Sequence, residues 1–245
     1  MKKGFFALIA ILSCSRLMAQ DDRQLVVHLS QPGKTFTLGV NIARAAINVS
    51  GYEGKDVLIQ TDWADVTVQE KNNEVTVAAP RGKTFKLNIK VPQTAGIFKL
   101  SSTSAGTMKV SDVTGNLELQ NKSGGIIAER ISGSVIASTL SGRVAVSFRS
   151  VDPMAAMAFS TVSGYIDLTF PPDLKANLKI KSDLGKVYSD FDLVGDAAHP
   201  KVVRDEKDGV YHLSIDDWIF GRVGGGGPEF LVKNTNGNIH IYKTK

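Results

Sequence analysis

The chain has 245 residues, of which 42% are hydrophobic, so it can bury a sizeable core and is not expected to be disordered. Its formal charge is +5, but three of its 29 basic residues (Lys2, Lys3 and Arg16) lie in a predicted export signal, and the other 26 face 24 acidic residues, a charge of +2. A net charge this small, with basic and acidic residues interspersed along the chain, argues against nucleic-acid binding.

The first nineteen residues have the pattern of a secretory signal peptide. Lys2 and Lys3 precede an apolar run over 4–13 that is too short to cross a bilayer of about 30 Å as a helix, and Ala19 offers a small-residue cleavage site. An alternative is a loose lipoprotein box ending at Cys14, which would then carry a lipid. Cys14 is the only cysteine, so cleavage after Ala19 leaves no thiol for disulfides, nucleophiles or zinc. We expect an exported protein of the periplasm, the outer-membrane surface or the medium, with no transmembrane span in the mature chain.

After the predicted signal peptide, the sequence pattern predicts β-strands. Apolar and polar residues alternate over 34–49, 55–69, 74–78 and 85–91, which is typical of half-buried strands. The short run 43–46 is the one helix-like feature in this part. We therefore expect one β domain over 20–245.

The centre of the chain, 96–190, is punctuated by regularly spaced glycines. They recur at nine or ten residues and then at about twice that interval, at Gly96, Gly106, Gly115, Gly124, Gly133, Gly142, Gly164 and Gly185, with a late copy at Gly237. The second and fourth residues after each glycine are apolar or small, as in Leu117 and Leu119, and Val187 with Ser189 departs from this rule. Each unit is therefore a turn and a short strand with one buried face.

A single unit of this kind cannot bury its apolar face alone, so the units must stack. The repeat predicts coils of about 18–22 residues that hold two strands each and stack into a β-solenoid (a β-helix or β-roll) with parallel pairing between coils. The alternative is a β-sandwich of short hairpins.

Beyond the repeats the pattern is irregular. Residues 192–222 contain a charged run over 204–208, expected to be a solvated loop, and one strand near 211–215. The glycine run 224–227 predicts a tight loop before a final hairpin formed by 229–232 and 238–242.

Stacking of the strands after Gly142, Gly164 and Gly185 would align their outward residues into two columns. One column would hold Arg143, Tyr165 and Lys186, and the next would hold Ala145, Asp167 and Tyr188. Cationic and aromatic side chains in rows suit contact with a glycan or an acidic polymer. An ordinary strand surface, in which Tyr and Lys are common, is the alternative interpretation.

Motifs for catalysis or cofactors do not stand out in the sequence. The four histidines lack metal-ligand spacing, and Trp63 and Trp218 are expected to be core residues. Asp167, Glu129 and Glu118 are the carboxylates of the repeats that a glycan-cleaving enzyme could use. We expect no cofactor, no metal and no catalytic residue.

The order of these motifs resembles the bacterial "putative adhesin" families of unknown function, the DUF4097-like and head-GIN-like proteins. The resemblance rests on 47–52 followed by 57–59, the Ser-Gly repeats of 123–146 and 163–168, the segment 184–187, and the end from Gly225 to Ile241. It implies a right-handed β-solenoid on an exported protein and brings no catalytic residues. We therefore expect a non-catalytic envelope or surface protein, an adhesin or scaffold that binds glycan or protein. An accessory of envelope-stress signalling with a protein partner and a polysaccharide-active β-helix enzyme are the alternatives.

Overall fold

The protein is built from strands. The computed structural model describes residues 23–103, 106–195, 205–207, 210–213 and 218–245, and none of these lies in a helix. The strands are β1 (Arg23–Val27), β2 (Phe36–Ile42), β3 (Ala45–Tyr52), β4 (Val57–Thr61), β5 (Thr67–Lys71), β6 (Glu74–Ala78), β7 (Phe85–Pro92), β8 (Gly96–Ser102), β9 (Met108–Ser111), β10 (Thr114–Asn121), β11 (Ile126–Ser141), β12 (Val144–Val151), β13 (Met157–Ser163), β14 (Ile166–Phe170), β15 (Ala176–Ser182), β16 (Val187–Ser189), β17 (Val194–Gly195), β18 (Asp205–Lys207), β19 (Val210–Leu213), β20 (Ile219–Val223), β21 (Glu229–Asn236) and β22 (Ile239–Lys243). The predicted signal peptide lies outside the described residues.

These strands form an all-β solenoid with two faces, as the repeat predicted. Face A runs in the spatial order β5, β6, β2, β8, β10, β11, β13, β21, β15, β20 and β17. Face B runs in the order β1, β4, β7, β3, β9, β11, β12, β14, β22, β16, β19 and β18. The long strand β11 passes from face B to face A at a break in register after Ala128.

Each coil contributes one strand to each face, and the inner strands pair in parallel. From one end to the other the eight coils, here called rungs 1 to 8, are β6–β7, β2–β3, β8–β9, β10 with the start of β11, the rest of β11 with β12, β13–β14, β21–β22 and β15–β16. Antiparallel strands cap both ends. The sandwich of hairpins is excluded, because consecutive strands of a rung lie on opposite faces.

The spatial order of the rungs departs from the chain order at both ends. In the sequence, rung 2 (β2–β3) precedes rung 1 (β6–β7). The chain then continues from rung 1 to rung 3 (β8–β9), which lies on the other side of rung 2. The C-terminal rung 7 inserts between rungs 6 and 8, because β21 pairs with both β13 and β15, and β22 with both β14 and β16. The final hairpin predicted for 229–232 and 238–242 is therefore wrong. These segments are opposite sides of one rung, each hydrogen-bonded to its neighbours along the solenoid.

The interior confirms the buried positions of the repeat. Residues two and four places after the glycines are buried, among them Leu117, Leu119, Ile166, Leu168, Ile239 and Ile241. Ser189, which broke the apolar rule, also points inward and bonds the backbone of Phe191 through its hydroxyl. The helix-like feature at 43–46 is wrong, since Ala45 and Ala46 begin β3. The tertiary pairing with β7 overrides the weak helix preference of two alanines.

Glycines stack at the turn from face A to face B. A Cβ on Gly164 would overlap the carbonyl oxygen of Gly142, one on Gly237 would overlap that of Gly164, and one on Gly185 would overlap that of Gly237. Gly164 and Gly237 also have φ of +152° and +134°, which favour glycine. The regular spacing in the sequence therefore marks the places where one rung touches the next through the backbone.

A second ladder lies three residues before these glycines, on the inside of the turn. Asn121, Thr139, Thr161, Asn234 and Ser182 are register partners along face A. Each donates from its side chain to a glycine carbonyl of the turns: Thr161 Oγ1 lies 3.0 Å from Gly142 O, and Asn234 Nδ2 lies 2.9 Å from Gly164 O. Buried carbonyls need such partners, so this ladder ties the rungs together at their most crowded point.

An ion-pair cluster closes the opposite turn of the solenoid. Asp112 accepts from Nε and Nη2 of Arg130 at 2.7 and 2.6 Å and from Nη2 of Arg149 at 3.1 Å. The hydrogen bonds from Arg130 hold the pKa of the Asp112 carboxyl below its ordinary value. Three successive rungs are linked by this single carboxylate.

Candidate binding surface on face B

The outward residues of face B form a charged and aromatic surface over rungs 5 to 8. Asp167 pairs in register with Ala145 on one side and with His240 on the other, and His240 pairs with Tyr188. The predicted column of Ala145, Asp167 and Tyr188 is thus present, with His240 of the C-terminal rung inserted between Asp167 and Tyr188.

Asp167 is the centre of this surface. Nε of Arg143 donates to its Oδ2 at 2.6 Å, and Nδ1 of His240 donates to its Oδ1 at 3.0 Å. The side chain of Asp167 is 14% exposed, whereas that of Arg143 is 58% exposed. Both carboxylate oxygens are therefore engaged by neighbours from adjacent rungs, which orients the guanidinium and the imidazole before any ligand arrives.

The His240 ring is also stacked with two tyrosines. Its centroid lies 4.8 Å from that of Tyr188 and 5.7 Å from that of Tyr242, with ring planes 8° apart in both pairs. Burial raises the pKa of the Tyr242 phenol; the negative charges of Asp167 and Asp190 add to the increase, and Arg143 opposes it.

A second row runs beside the first. Backbone hydrogen bonds join Val144 to Tyr165, Ile166 to Asn238, and Ile239 to Lys186, so the row is Arg143, Tyr165, Asn238 and Lys186. The predicted column of Arg143, Tyr165 and Lys186 is thus present with Asn238 inserted. Tyr165 is 53% exposed. With a strand spacing of about 4.8 Å, the Cα atoms of Arg143 and Lys186 are about 14 Å apart.

Sequence reasoning missed His240, Tyr242 and Asn238. His240 stands three residues after Gly237, the same offset that places Asp167 after Gly164 and Tyr188 after Gly185. Aligning the late glycine with the central repeats could have placed His240 on the outward side. Its position between Asp167 and Tyr188 carries no local signal, because it depends on where rung 7 inserts.

The other nominated residues are dispersed. Glu118 points outward on face A, and Glu129 ends the face-B part of β11 two rungs from Asp167, with its carboxylate 3.8 Å from Arg130. Trp63 packs edge-on against Phe85 at the core, as predicted, whereas Trp218 is half-buried beneath Lys179 at 4.9 Å. The charged run 204–208 was expected to be a loop, but residues 205–207 form β18, which pairs with β19.

In the described part of the chain, no group of three or more His, Cys, Asp and Glu side chains is arranged to hold a metal ion. The same residues include no helix with the length and apolarity needed to cross a membrane.

Fold and surface together define a β-solenoid protein that carries an outward array of charged and aromatic side chains. The chain belongs to the Toastrack DUF4097 family, which matches residues 5–216. The match ends before β20, so rung 7 with His240 lies beyond it. No curated protein matches this chain in sequence.

The solved structures that are similar to this chain include the following three. They are a "putative cell adhesion protein" from Clostridium sporogenes ATCC 15579 (14% identity, 91% of this chain and 100% of that chain, TM-score 0.45), a "putative adhesin" from Bacteroides fragilis NCTC 9343 (10%, 91% and 98%, TM-score 0.39) and a "putative lipid binding protein" from Parabacteroides distasonis ATCC 8503 (12%, 91% and 97%, TM-score 0.33). The family assignment rests on the sequence match.

Proposed function

We propose that this protein is an exported, non-catalytic binding protein of the cell envelope or cell surface, and that face B holds an acidic glycan laid across rungs 5 to 8. The observation that carries the proposal is the Asp167 cluster. One carboxylate orients Arg143 and His240, and the imidazole in turn stacks with two tyrosine rings.

The chemistry of this surface matches a polymer with carboxylates at intervals. Arg143 and Lys186 stand at the two ends of one row, about 14 Å apart by strand spacing. Tyr165 and Asn238 lie between them, with ring and amide groups suited to sugar faces and hydroxyls. A ladder of parallel strands is rigid, so the row keeps its spacing without an ordering cost on binding.

The spread of the three carboxylates of the repeats, Glu118, Glu129 and Asp167, supports a binding role over hydrolysis. Glycosidases place two carboxyl groups about 5–9.5 Å apart across one bond. Glu118 lies on the opposite face from Asp167. Glu129 and Asp167 are two rungs apart, which alone is about 9.6 Å, and are offset along the strand as well.

The test is titration calorimetry of the protein with polygalacturonate oligomers, with uncharged dextran as the reference ligand. The double variant Arg143→Gln/Lys186→Gln is expected to bind at least tenfold more weakly, because both terminal cations are lost. Wild-type affinity should fall steeply between 50 and 500 mM NaCl. Lys109→Gln removes an exposed cation of the same face, three rungs from Asp167, and serves as the matched control.

Equal loss of affinity in the control and the double variant would contradict a localised site. Binding would then depend on the overall positive charge of the face and not on Arg143 and Lys186. A release assay on the same oligomers tests the enzymatic alternative. Release of reducing ends by the wild type that is abolished in Asp167→Asn would replace the binding proposal with a catalytic one.

A further inference from the structure

The outward surface of face A contains a depression at the other end of the solenoid. It has a volume of about 330 Å³, and its lining includes Gly39 and Val40 of rung 2. Its walls come from rungs 1 to 4: Glu74, Thr76, Asn41, Lys99, Ser101, Glu118 and Gln120. A second depression of about 440 Å³ continues it toward rung 5 and shares Asn41, Ser101 and Gln120.

The depression exists because residue 39 has no side chain. Thr76, Gly39, Lys99 and Glu118 are consecutive register partners, so the outward row has a gap at rung 2. A glycine inside a strand costs about 0.5–1 kcal/mol relative to alanine, and it commonly marks a bulge, a tight bend or a site where a ligand or another backbone approaches.

The fold itself does not require this glycine. The register of β2 with β6 and β8 is continuous, so there is no bulge. Gly39 does not have a positive φ, and a Cβ there would meet its nearest atoms, Val75 O and Thr76 Oγ1, at 3.9 and 4.0 Å. Gly39 therefore differs from Gly164 and Gly237, whose Cβ atoms would overlap backbone, and the open space above it would allow close approach of a ligand.

The lining has the chemistry of a binding site for hydroxyl-rich molecules. Amides, hydroxyls, carboxylates and an ammonium group alternate along the walls, so donors and acceptors stand side by side. Ser101 Oγ donates to Asn41 Oδ1 at 3.1 Å, and Gln120 Nε2 donates to Glu118 Oε1 at 3.3 Å, which orients both pairs. Glu74 and Glu118 balance Lys99 and, in the second depression, Lys122, so the lining has no excess charge to select an ion.

We propose that face A carries a second site, which binds an uncharged linear glycan across rungs 1 to 5. The glycan comes nearest to the protein backbone at Gly39. Four strand spacings give the groove a length of about 19 Å. This site is separate from the acidic-glycan surface on face B, since it lies on the opposite face and the two share only rung 5. A protein with both sites would link two polymers of different charge.

The test is an NMR titration of the full chain with four neutral hexasaccharides: cellohexaose, xylohexaose, chitohexaose and maltohexaose. At least one should shift the backbone amide signals of Gly39, Asn41, Thr76 and Ser101 and leave those of Tyr188 and His240 unmoved. Gly39→Leu fills the groove and should weaken that binding at least tenfold, which corresponds to about 1.4 kcal/mol. Its thermal unfolding should stay close to that of the wild type, because the side chain faces open space.

Glu118→Gln is the second variant, because it changes a wall of the groove and is independent of how Gly39→Leu folds. It should weaken the same hexasaccharide by several-fold. The face-B double variant Arg143→Gln/Lys186→Gln should bind that hexasaccharide as the wild type does, which separates the failure of one site from the failure of the other. No shift with any of the four hexasaccharides, or wild-type affinity in Gly39→Leu, would overturn the proposal.

Discussion

Gly164→Ala tests the backbone stacking on which the solenoid depends. The glycine lies at the turn between β13 and β14, and a methyl group there would overlap the carbonyl oxygen of Gly142 in the next rung. The same carbonyl accepts from Thr161 Oγ1, and Gly164 N donates to Asn236 O at 3.0 Å. The substitution therefore forces rungs 5, 6 and 7 apart at one point.

The expected loss of stability has two sources. A φ of +152° is unfavourable for alanine and costs about 1–3 kcal/mol. Forcing the rungs apart weakens both of these hydrogen bonds, each worth about 1 kcal/mol. Together they predict a loss of about 3–5 kcal/mol, and for a chain of this size a fall in Tm of about 6–20 °C.

Urea unfolding followed by circular dichroism measures this loss, with Gly39→Ala as the matched control. Alanine at position 39 has open space and an ordinary φ, so it should leave stability unchanged or raise it by about 0.4–1 kcal/mol through the unfolded state. If Gly164→Ala proved as stable as Gly39→Ala, the regular glycines would be turn-formers without a role in stacking.

Two further substitutions and one truncation probe other parts of the fold. Thr161→Val should lose about 1 kcal/mol in urea unfolding, because it keeps the shape but removes the donor to Gly142 O; no loss would mean that the inner polar ladder contributes nothing. Asp112→Asn should lower the free energy of unfolding at pH 7, and the difference from the wild type should shrink below about pH 4. The reason is that a carboxyl whose pKa is lower in the folded than in the unfolded chain stabilises the fold above its unfolded pKa and loses this effect as it is protonated. A difference independent of pH would contradict the ion-pair explanation. A chain ending at Gly224 lacks rung 7 and should be cleaved rapidly in limited proteolysis, because β13 and β15 lose their common partner; protease resistance equal to the full chain would show that rungs 6 and 8 can pair directly.

The candidate surface on face B was partly visible in the sequence. The offset from each glycine predicted that Arg143, Tyr165, Asp167, Lys186 and Tyr188 point outward in rows, and the structure brings Arg143 and Asp167 into direct contact. The rows were incomplete because stacking order was inferred from chain order. His240, which joins Asp167 to Tyr188, comes from the end of the chain and enters the surface only through the pairing of β22 with β14 and β16.

Local pattern alone determined the class of fold, the length of the repeating unit and the side of each strand that is buried, because strand periodicity and glycine turns depend on neighbouring residues. The order in which the rungs stack was decided by tertiary structure. Every rung has the same kind of apolar inner side, and its strands offer the same backbone N–H and C=O groups along both edges. The residues of one rung therefore do not distinguish one neighbouring rung from another. The insertion of rung 7 between rungs 6 and 8, and with it the Asp167–His240–Tyr188 row, follows from the closing of the whole ladder.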